Sequence, residues 1–290
     1  MKCLIIGCGY VGLPLGAELV RQGHEVFGLR RSAAAGKELQ AAGIKPLVAD
    51  ITRPETLAKL PGGFDWVVNC VAAGGGAANY RLVYLEGTRN LLAWLGAAPP
   101  EKFVYAGSTS VYAQYDGSVV TEESPADPVA ETAKILRQTE NVLLAAARKS
   151  FPAVILRVAG IYGPGRGHWV KQFLRGEARI EGDGSRWLNM IHRDDVVGGI
   201  IAALKNGRAG EIYNASDDEP VSQLNFFAWL AEILGKPLPP AVPETPDERK
   251  RGVTAKRVSN TKLRTELKYE FRFPDFRAGY KTLFAEALKH

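Results

Sequence analysis

A doubly wound α/β fold, with helices covering both faces of a parallel sheet, is what this chain predicts, and three observations carry the prediction. Apolar, strand-like runs alternate with amphipathic helical stretches across short turns. At 290 residues the chain is long enough for a large core. The first strand, Lys2 to Ile6, runs straight into Gly7-Cys8-Gly9-Tyr10-Val11-Gly12 and then a helix.

The elements follow in order. In the glycine loop Gly7 permits the tight turn, Gly9 lets backbone approach a pyrophosphate, and Gly12 lets the helix pack closely on the strand, the Rossmann arrangement for a dinucleotide. The unpaired N–H groups and dipole at the helix N-terminus favour the phosphates. Gly23 ends the first helix and Glu25 to Leu29 is the second strand. Where an NAD enzyme places an acid for the ribose 2′-hydroxyl, this chain has Arg30-Arg31-Ser32. A guanidinium pairs bidentately with a phosphate, so the cofactor read here is NADP, with NAD as the alternative if the two arginines are only solvated charge.

Further strands are expected at Pro46 to Val48, Trp66 to Val71, Phe103 to Ala106, Ala153 to Val158 and Glu211 to Asn214, all short runs rich in apolar and β-branched residues. Helical patterns fall between them: Ala33 to Ala42, Pro54 to Leu60 with proline at its start, Tyr80 to Leu95, Thr132 to Arg148, and Asp194 to Leu204 with acids in its first turn. After Gly163 the alternation weakens. A Gly-Pro-Gly loop, a short helix at Trp169 to Leu174, an Asp183-Gly184-Ser185 turn, a helix capped by Ser222, a Pro-rich linker from Lys236 to Pro246 and a basic tail follow. The expected division is a dinucleotide-binding domain of residues 1–163 and 190–217, and a smaller, discontinuous substrate-facing lobe of residues 164–189 and 218–290. Such a lobe closes over the carboxyl ends of the strands, where open α/β sheets bind ligands.

Composition narrows the partners. The net charge of +6 suits a phosphate-bearing small molecule, while no basic and aromatic stripe suggests nucleic acid. Cys3, Cys8 and Cys70 show no CxxC, and no histidines cluster, so neither disulfides nor a metal site are expected. Cys8 reads as a small filler residue rather than an oxidation-sensitive thiol. The N-terminal apolar run is too short for a signal peptide, and no stretch is long enough to span a membrane, so a cytoplasmic protein is expected.

Several motifs then resemble one family. Asp50-Ile51 after the third strand, Val71-Ala72-Ala73 after the fourth, Glu86-Gly87-Thr88-Arg89-Asn90 on the following helix and Ala106-Gly107-Ser108-Thr109-Ser110-Val111-Tyr112-Ala113 stand in that order. They are joined by Leu156-Arg157, Ile161-Tyr162-Gly163-Pro164-Gly165 and Ile191-His192-Arg193-Asp194-Asp195-Val196. Over nearly its whole length the chain resembles the extended short-chain dehydrogenase/reductases, the NAD(P)-dependent epimerase/dehydratase group. The resemblance implies that Asp50 and Ile51 contact adenine, that Val71, Ala72 and Ala73 pass under the cofactor, and that Ser108 is the catalytic hydroxyl, four residues before Tyr112. It also implies a homodimer built through Tyr80 to Leu95 and Thr132 to Arg148, where Leu82, Leu85, Trp94, Leu136 and Leu143 are apolar beyond one stripe.

One departure is chemical. The family's Tyr-x-x-x-Lys falls, counted back from Glu140, on Thr132 and Leu136. A free phenol titrates near 10, so without a cation beside it a tyrosine is a poor base at neutral pH. Lys134 is nearby but points to a different helical face from position 136. Tyr84, where the family more often has asparagine, offers a phenol, although a packing role is the commoner meaning. Tyr112 and Tyr162 read as structural, His192 as fixing the turn before Asp194, and His168 as a solvated loop residue. The Glu248 to Arg257 run is either an exposed charged loop or a grip on an anionic substrate.

Three functions are consistent with these residues. The first is an NADP-dependent oxidoreductase, epimerase or dehydratase acting on a nucleotide-sugar or similar hydroxyl or carbonyl compound, with Ser108 and a proton donor not identified in the sequence. The second is a catalytically silent NADP-binding protein. The third is unrelated chemistry on the same fold.

Overall fold

The computed structural model describes residues 1–243 and 254–287. The parts of the linker at 244–246 and of the charged run at 248–253 therefore lie outside the described residues. Seven strands, β1 (Lys2–Ile6), β2 (Glu25–Arg30), β3 (Lys45–Val48), β4 (Trp66–Asn69), β5 (Lys102–Ser108), β6 (Ala153–Val158) and β7 (Ile212–Ala215), form one sheet. Their order is β3-β2-β1-β4-β5-β6-β7, and every pairing is parallel. The order reverses beside β1, which opens a crevice at the carboxyl ends of β1 and β4.

The central strands read as largely apolar runs because both faces are covered. On one face Gly12–Arg21 and Arg193–Asn206 bring Leu15, Leu19, Ile200 and Leu204 onto the sheet. On the other, Gly87–Leu95 and Glu131–Ala147 bring Leu91, Leu95, Ile135 and Leu143. A third, aromatic cluster joins Tyr162, Phe173, Phe226, Trp229, Phe276 and Tyr280, from segments after β6.

Local structure departs from the sequence expectation in a few places. The helix expected at Tyr80 to Leu95 is a composite: a turn at Ala77–Tyr80, a π-helical stretch at Arg81–Glu86, then Gly87–Leu95. Wide turns of this kind are rare and frequently stand at functional sites. Gly87 permits the close approach that follows, since a Cβ there would lie 2.7 Å from Ile51 Cδ1. The helix expected over Ala33 to Ala42 splits into a 3₁₀ turn, Ala33–Ala35, and Gly36–Ala41, and that expected at Pro54 to Leu60 stops at Leu57. β4 ends at Asn69, not Val71, because Cys70 onward turns over the glycine loop. Ser222 does cap Gln223–Leu234, its Oγ accepting from the Asn225 N–H at 3.2 Å.

Helix Glu131–Ala147 is fixed to β6 by a buried ion pair. Arg157 Nε and Nη2 donate to Glu140 Oε1 and Oε2 at 2.9 and 2.8 Å, and the guanidinium lies 4.7 Å from the Tyr112 ring centre. Because Glu140 sits one turn beyond Leu136, this pair sets which face of the helix looks toward the crevice. The surplus apolar surface expected for a dimer is smaller than the sequence suggests. Leu85, Leu136 and Leu143 are buried within the chain's own core, leaving Leu82, 47% exposed, and the half-buried Trp94.

Candidate cofactor and substrate site

A cavity of about 650 Å³ runs along the carboxyl ends of the central strands. Its floor is the glycine loop. Gly7 has φ of +83°, and a Cβ there would sit 2.7 Å from the Val71 backbone, so only glycine admits the two loops side by side. Gly12 would meet the Gly7 carbonyl oxygen at 2.7 Å. Gly9 faces more open space, where the nearest atom to a Cβ would be Arg30 Nη1 at 3.6 Å. No side chain caps the first helix at Val11, which leaves the N-terminal turn available to an anion. Gly7, Gly9, Tyr10 and Val11 line the cavity, and Gly12 stands behind them as a packing residue.

Arg30 and Arg31 line the same space at the end of β2. Arg30 is half-buried, and its Nη1 donates to the Cys8 carbonyl, which holds the guanidinium beside the glycine loop; Arg31 is exposed. Asp50 and Ile51 form the next wall, with Asp50 Oδ1 accepting from the Thr52 N–H at 2.9 Å and the Thr52 hydroxyl at 2.8 Å. Val71, Ala72 and Ala73 follow, and then Ser108 at the end of β5. Ser108 Oγ accepts from the Ser110 N–H at 3.2 Å, a bond that caps the short turn Thr109–Val111 and fixes the oxygen.

Leu136 is buried and lines the cavity, while Lys134 is exposed on another face of the helix. Tyr84 is buried against the cavity, and its hydroxyl accepts from the Ala73 N–H at 3.2 Å. The π-helical stretch Arg81–Glu86 carries it there, beside the segment Val71 to Ala73. Tyr112 is structural in its contacts, donating to Asn214 Oδ1 at 2.8 Å. Tyr162 reaches the cavity wall, stacked on Tyr280 at 4.4 Å. His192 Nδ1 accepts from the Asp194 N–H at 3.2 Å, and burial pushes its pKa down to about 4, so it is a neutral helix cap. His168, read as a solvated loop residue, is exposed but opens helix His168–Leu174 at the cavity wall.

Sequence reasoning missed the cations that reach in from the later segments. Arg166 lies 5.2 Å from the Tyr10 ring centre, with Arg193 at 5.5 Å, so two guanidinium groups flank the glycine loop's tyrosine. The Tyr10 hydroxyl is buried without a hydrogen-bond partner, and burial raises its pKa. Arg186 and Lys256 line the cavity beside Trp169 and Trp187. The charged run containing Lys256 was a visible signal; that Arg186 follows the Asp183-Gly184-Ser185 turn was not.

The thiols are inert by position. Cys8 is fully buried, and burial pushes its thiol up to about 12; Cys70 is raised as well. Only the thiolate reacts, so alkylation of folded protein by iodoacetamide at pH 8 is expected to run roughly a thousandfold slower at Cys8 than for a free thiol, read by mass spectrometry. Among the described residues no group of three or more metal-ligating side chains occurs, and no helix is long and apolar enough to cross a membrane.

Comparison with known proteins adds to this geometry. Residues 3–216 match the model of the NAD dependent epimerase/dehydratase family. Protein YeeZ of Escherichia coli K12 is 28% identical over 282 residues, covering 94% of this chain and 97% of that protein. A 2-alkyl-3-oxoalkanoate reductase of Stenotrophomonas maltophilia is 30% identical over 258 residues, 82% of this chain and 77% of the reductase. A structure of a proposed NAD-dependent epimerase/dehydratase from Methylobacillus flagellatus superimposes with a TM-score of 0.79 at 34% identity, covering 100% and 99% of the two chains.

Proposed function

The chain belongs to the NAD-dependent epimerase/dehydratase family, and on that premise we propose that it is an NADP-linked oxidoreductase acting on a hydroxyl or carbonyl compound. The observation that carries the reading is a single cavity that joins the glycine loop, Arg30 and Ser108 to a further chamber lined from the later segments. A silent cofactor-binding protein has no need of that chamber.

The residues fit a dinucleotide. Gly7 and Gly9 leave the space that a pyrophosphate needs, and Arg30, tied to the Cys8 carbonyl, holds positive charge where a 2′-phosphate is read. The nicotinamide supplies the hydride chemistry when bound. Ser108, its oxygen fixed by the Ser110 N–H, donates to the substrate oxygen and polarises it. Val71, Ala72 and Ala73 orient the cofactor, and Leu136 closes the wall where the family's lysine stands.

Similarity to a protein named as a 3-oxoalkanoate reductase supports carbonyl reduction beside the nucleotide-sugar chemistry expected from the family. Mixing the protein with NADPH and panels of nucleotide-sugars and oxo acids, and following absorbance of the reduced cofactor, tests the reading. Consumption with at least one panel member is the expected result. Tight NADPH binding without consumption across the panel favours the silent alternative, which the apolar Leu136 in the lysine position supports.

A further inference from the structure

We propose that Asp217 is held as a neutral carboxylic acid behind the cavity wall and serves as a pH-sensitive latch: release of its proton to solvent loosens the C-terminal segment 269–287, which brings Tyr280 to the cavity. The latch does not depend on which reaction the cavity supports.

Asp217 follows β7 across Ser216 and is 1% exposed. Its N–H donates to the Met190 carbonyl at 2.8 Å, and the Asp218 N–H donates to the Pro274 carbonyl at 2.8 Å, so this turn joins the short strand Met190–His192 to the C-terminal segment. The Tyr162 and Tyr280 hydroxyls lie close enough to feel its charge, as do the carboxylates of Asp275, Asp218 and Glu219. The arginines of this region serve other acids: Arg264 meets Asp218 at 3.3 Å and Arg277 meets Glu219 at 2.7 Å. Among the described residues neither Asp217 oxygen has a hydrogen-bond partner, and the Glu219 N–H faces the group from outside hydrogen-bond geometry.

An ionised carboxylate in such surroundings is costly, and the group keeps its proton instead. Burial drives the Asp217 pKa well above the usual carboxylate range, and the three neighbouring carboxylates push the same way. Asp195 shows the contrast. It is equally buried under the same segment, but accepts from the Tyr269 hydroxyl at 2.7 Å, the Arg272 N–H at 2.7 Å and the Phe273 N–H at 3.0 Å. Asp195 therefore anchors the segment, and Asp217 only tolerates it.

The segment is tied to the cavity wall. Tyr280 and Tyr162, stacked on each other, both line the cavity. The Tyr162 hydroxyl donates to the Asp275 carbonyl at 3.4 Å, Asp275 Oδ1 accepts from the Ala278 N–H at 2.9 Å at the start of helix Phe276–Ala287, and Gly279 leaves the space that the Tyr162 hydroxyl fills. β7 is paired with β6 and Met190–His192 with Gly160–Tyr162, whereas residues 269–275 belong to no strand or helix. The segment is thus the neighbour that yields when Asp217 ionises. An acid whose folded pKa is raised supplies stability that is complete below its unfolded pKa of about 4 and is lost as pH rises toward the folded value. Opening that frees Asp217 releases one proton, so the opening constant gains about tenfold per pH unit in that window.

Hydrogen exchange of the full chain between pH 6 and pH 9, corrected for the intrinsic rate and read by mass spectrometry, tests this. Protection of peptides from 269–280 is expected to fall with pH in the wild type, and in Asp217→Asn, which is isosteric and neutral, the slope is expected to be smaller by about one log unit per pH unit. Asp195, whose pKa burial also raises, acts in both proteins and cancels in the difference, and His192, at about 4, titrates below the range. In thermal melts the lead of the variant over the wild type is expected to grow by at least about 3 °C from pH 6 to pH 9. The proposal falls if the two exchange slopes coincide, or if the variant loses ground to the wild type as pH rises, which is the behaviour of a charged Asp217 held by a cation. Wild-type protection that stays constant from pH 6 to pH 9 overturns it without any variant.

Discussion

Replacing Arg30 and Arg31 together by alanine is expected to weaken NADP binding by roughly ten- to a hundredfold, with NAD affinity changed much less. A charge-assisted hydrogen bond contributes on the order of 1.5 to 3 kcal/mol, and each 1.4 kcal/mol is about tenfold. The two arginines divide the work differently. Arg30 is half-buried and tied to the Cys8 carbonyl, so its guanidinium is already oriented, whereas Arg31 is exposed and is ordered only by the ligand. Arg30→Ala alone also leaves the Cys8 carbonyl without that donor, and so perturbs the glycine loop itself. Arg31→Ala removes charge without that complication. Arg30→Lys keeps the charge and loses the planar fork, and is expected to recover part of the loss. Calorimetry with both cofactors on the wild type and the variants reads all of this directly. Equal wild-type affinities for NADP and NAD, or an undiminished NADP affinity in the double variant, would remove the argument for NADP.

What could be read from the residues, and what could not, follows from the range of the interactions. The seven-strand sheet was legible because its central strands are buried on both faces and read as mostly apolar runs, as in Ala153–Val158, which is buried throughout and broken only by Arg157, whereas the edge strand Lys45–Val48 is exposed at both ends. The floor of the cavity was legible because the glycine spacing is local in sequence, although the backbone that Gly7 has to admit, at Val71, comes from another strand end. The π-helical stretch was not, since Arg81–Glu86 carries no residue pattern that distinguishes it from the α-helix that follows. The later segments were the least legible. Their strands are two-residue pairs, such as Trp187–Leu188 with Val221–Ser222, too short to show any period. Arg186 and Lys256 reach the same cavity because Asn189 ties their segments across a gap of 67 residues, which no spacing rule reveals.

Ser108→Ala is expected to lower turnover by about 10² to 10³ while leaving NADP affinity unchanged, the size of effect seen when one donor to a developing oxyanion is removed. The side chain stands at the end of β5, 9% exposed, on the cavity wall, and accepting the Ser110 N–H fixes its oxygen there. An interaction made mainly in the transition state lowers kcat and kcat/KM together, whereas a merely structural role for Ser108 would show first in thermal stability and cofactor binding. Tyr84→Phe is the necessary companion. Its hydroxyl meets the Ala73 N–H on the segment read as passing under the cofactor, but Leu136 occupies the position from which a lysine would lower a phenol's pKa, and Lys134 faces away. Its loss is therefore expected to cost less than the loss of the Ser108 hydroxyl. The opposite ranking, with Tyr84→Phe losing the roughly 10² to 10⁴-fold typical of a positioned general acid or base and Ser108→Ala losing little, would make Tyr84 the relocated proton donor and Ser108 a turn cap.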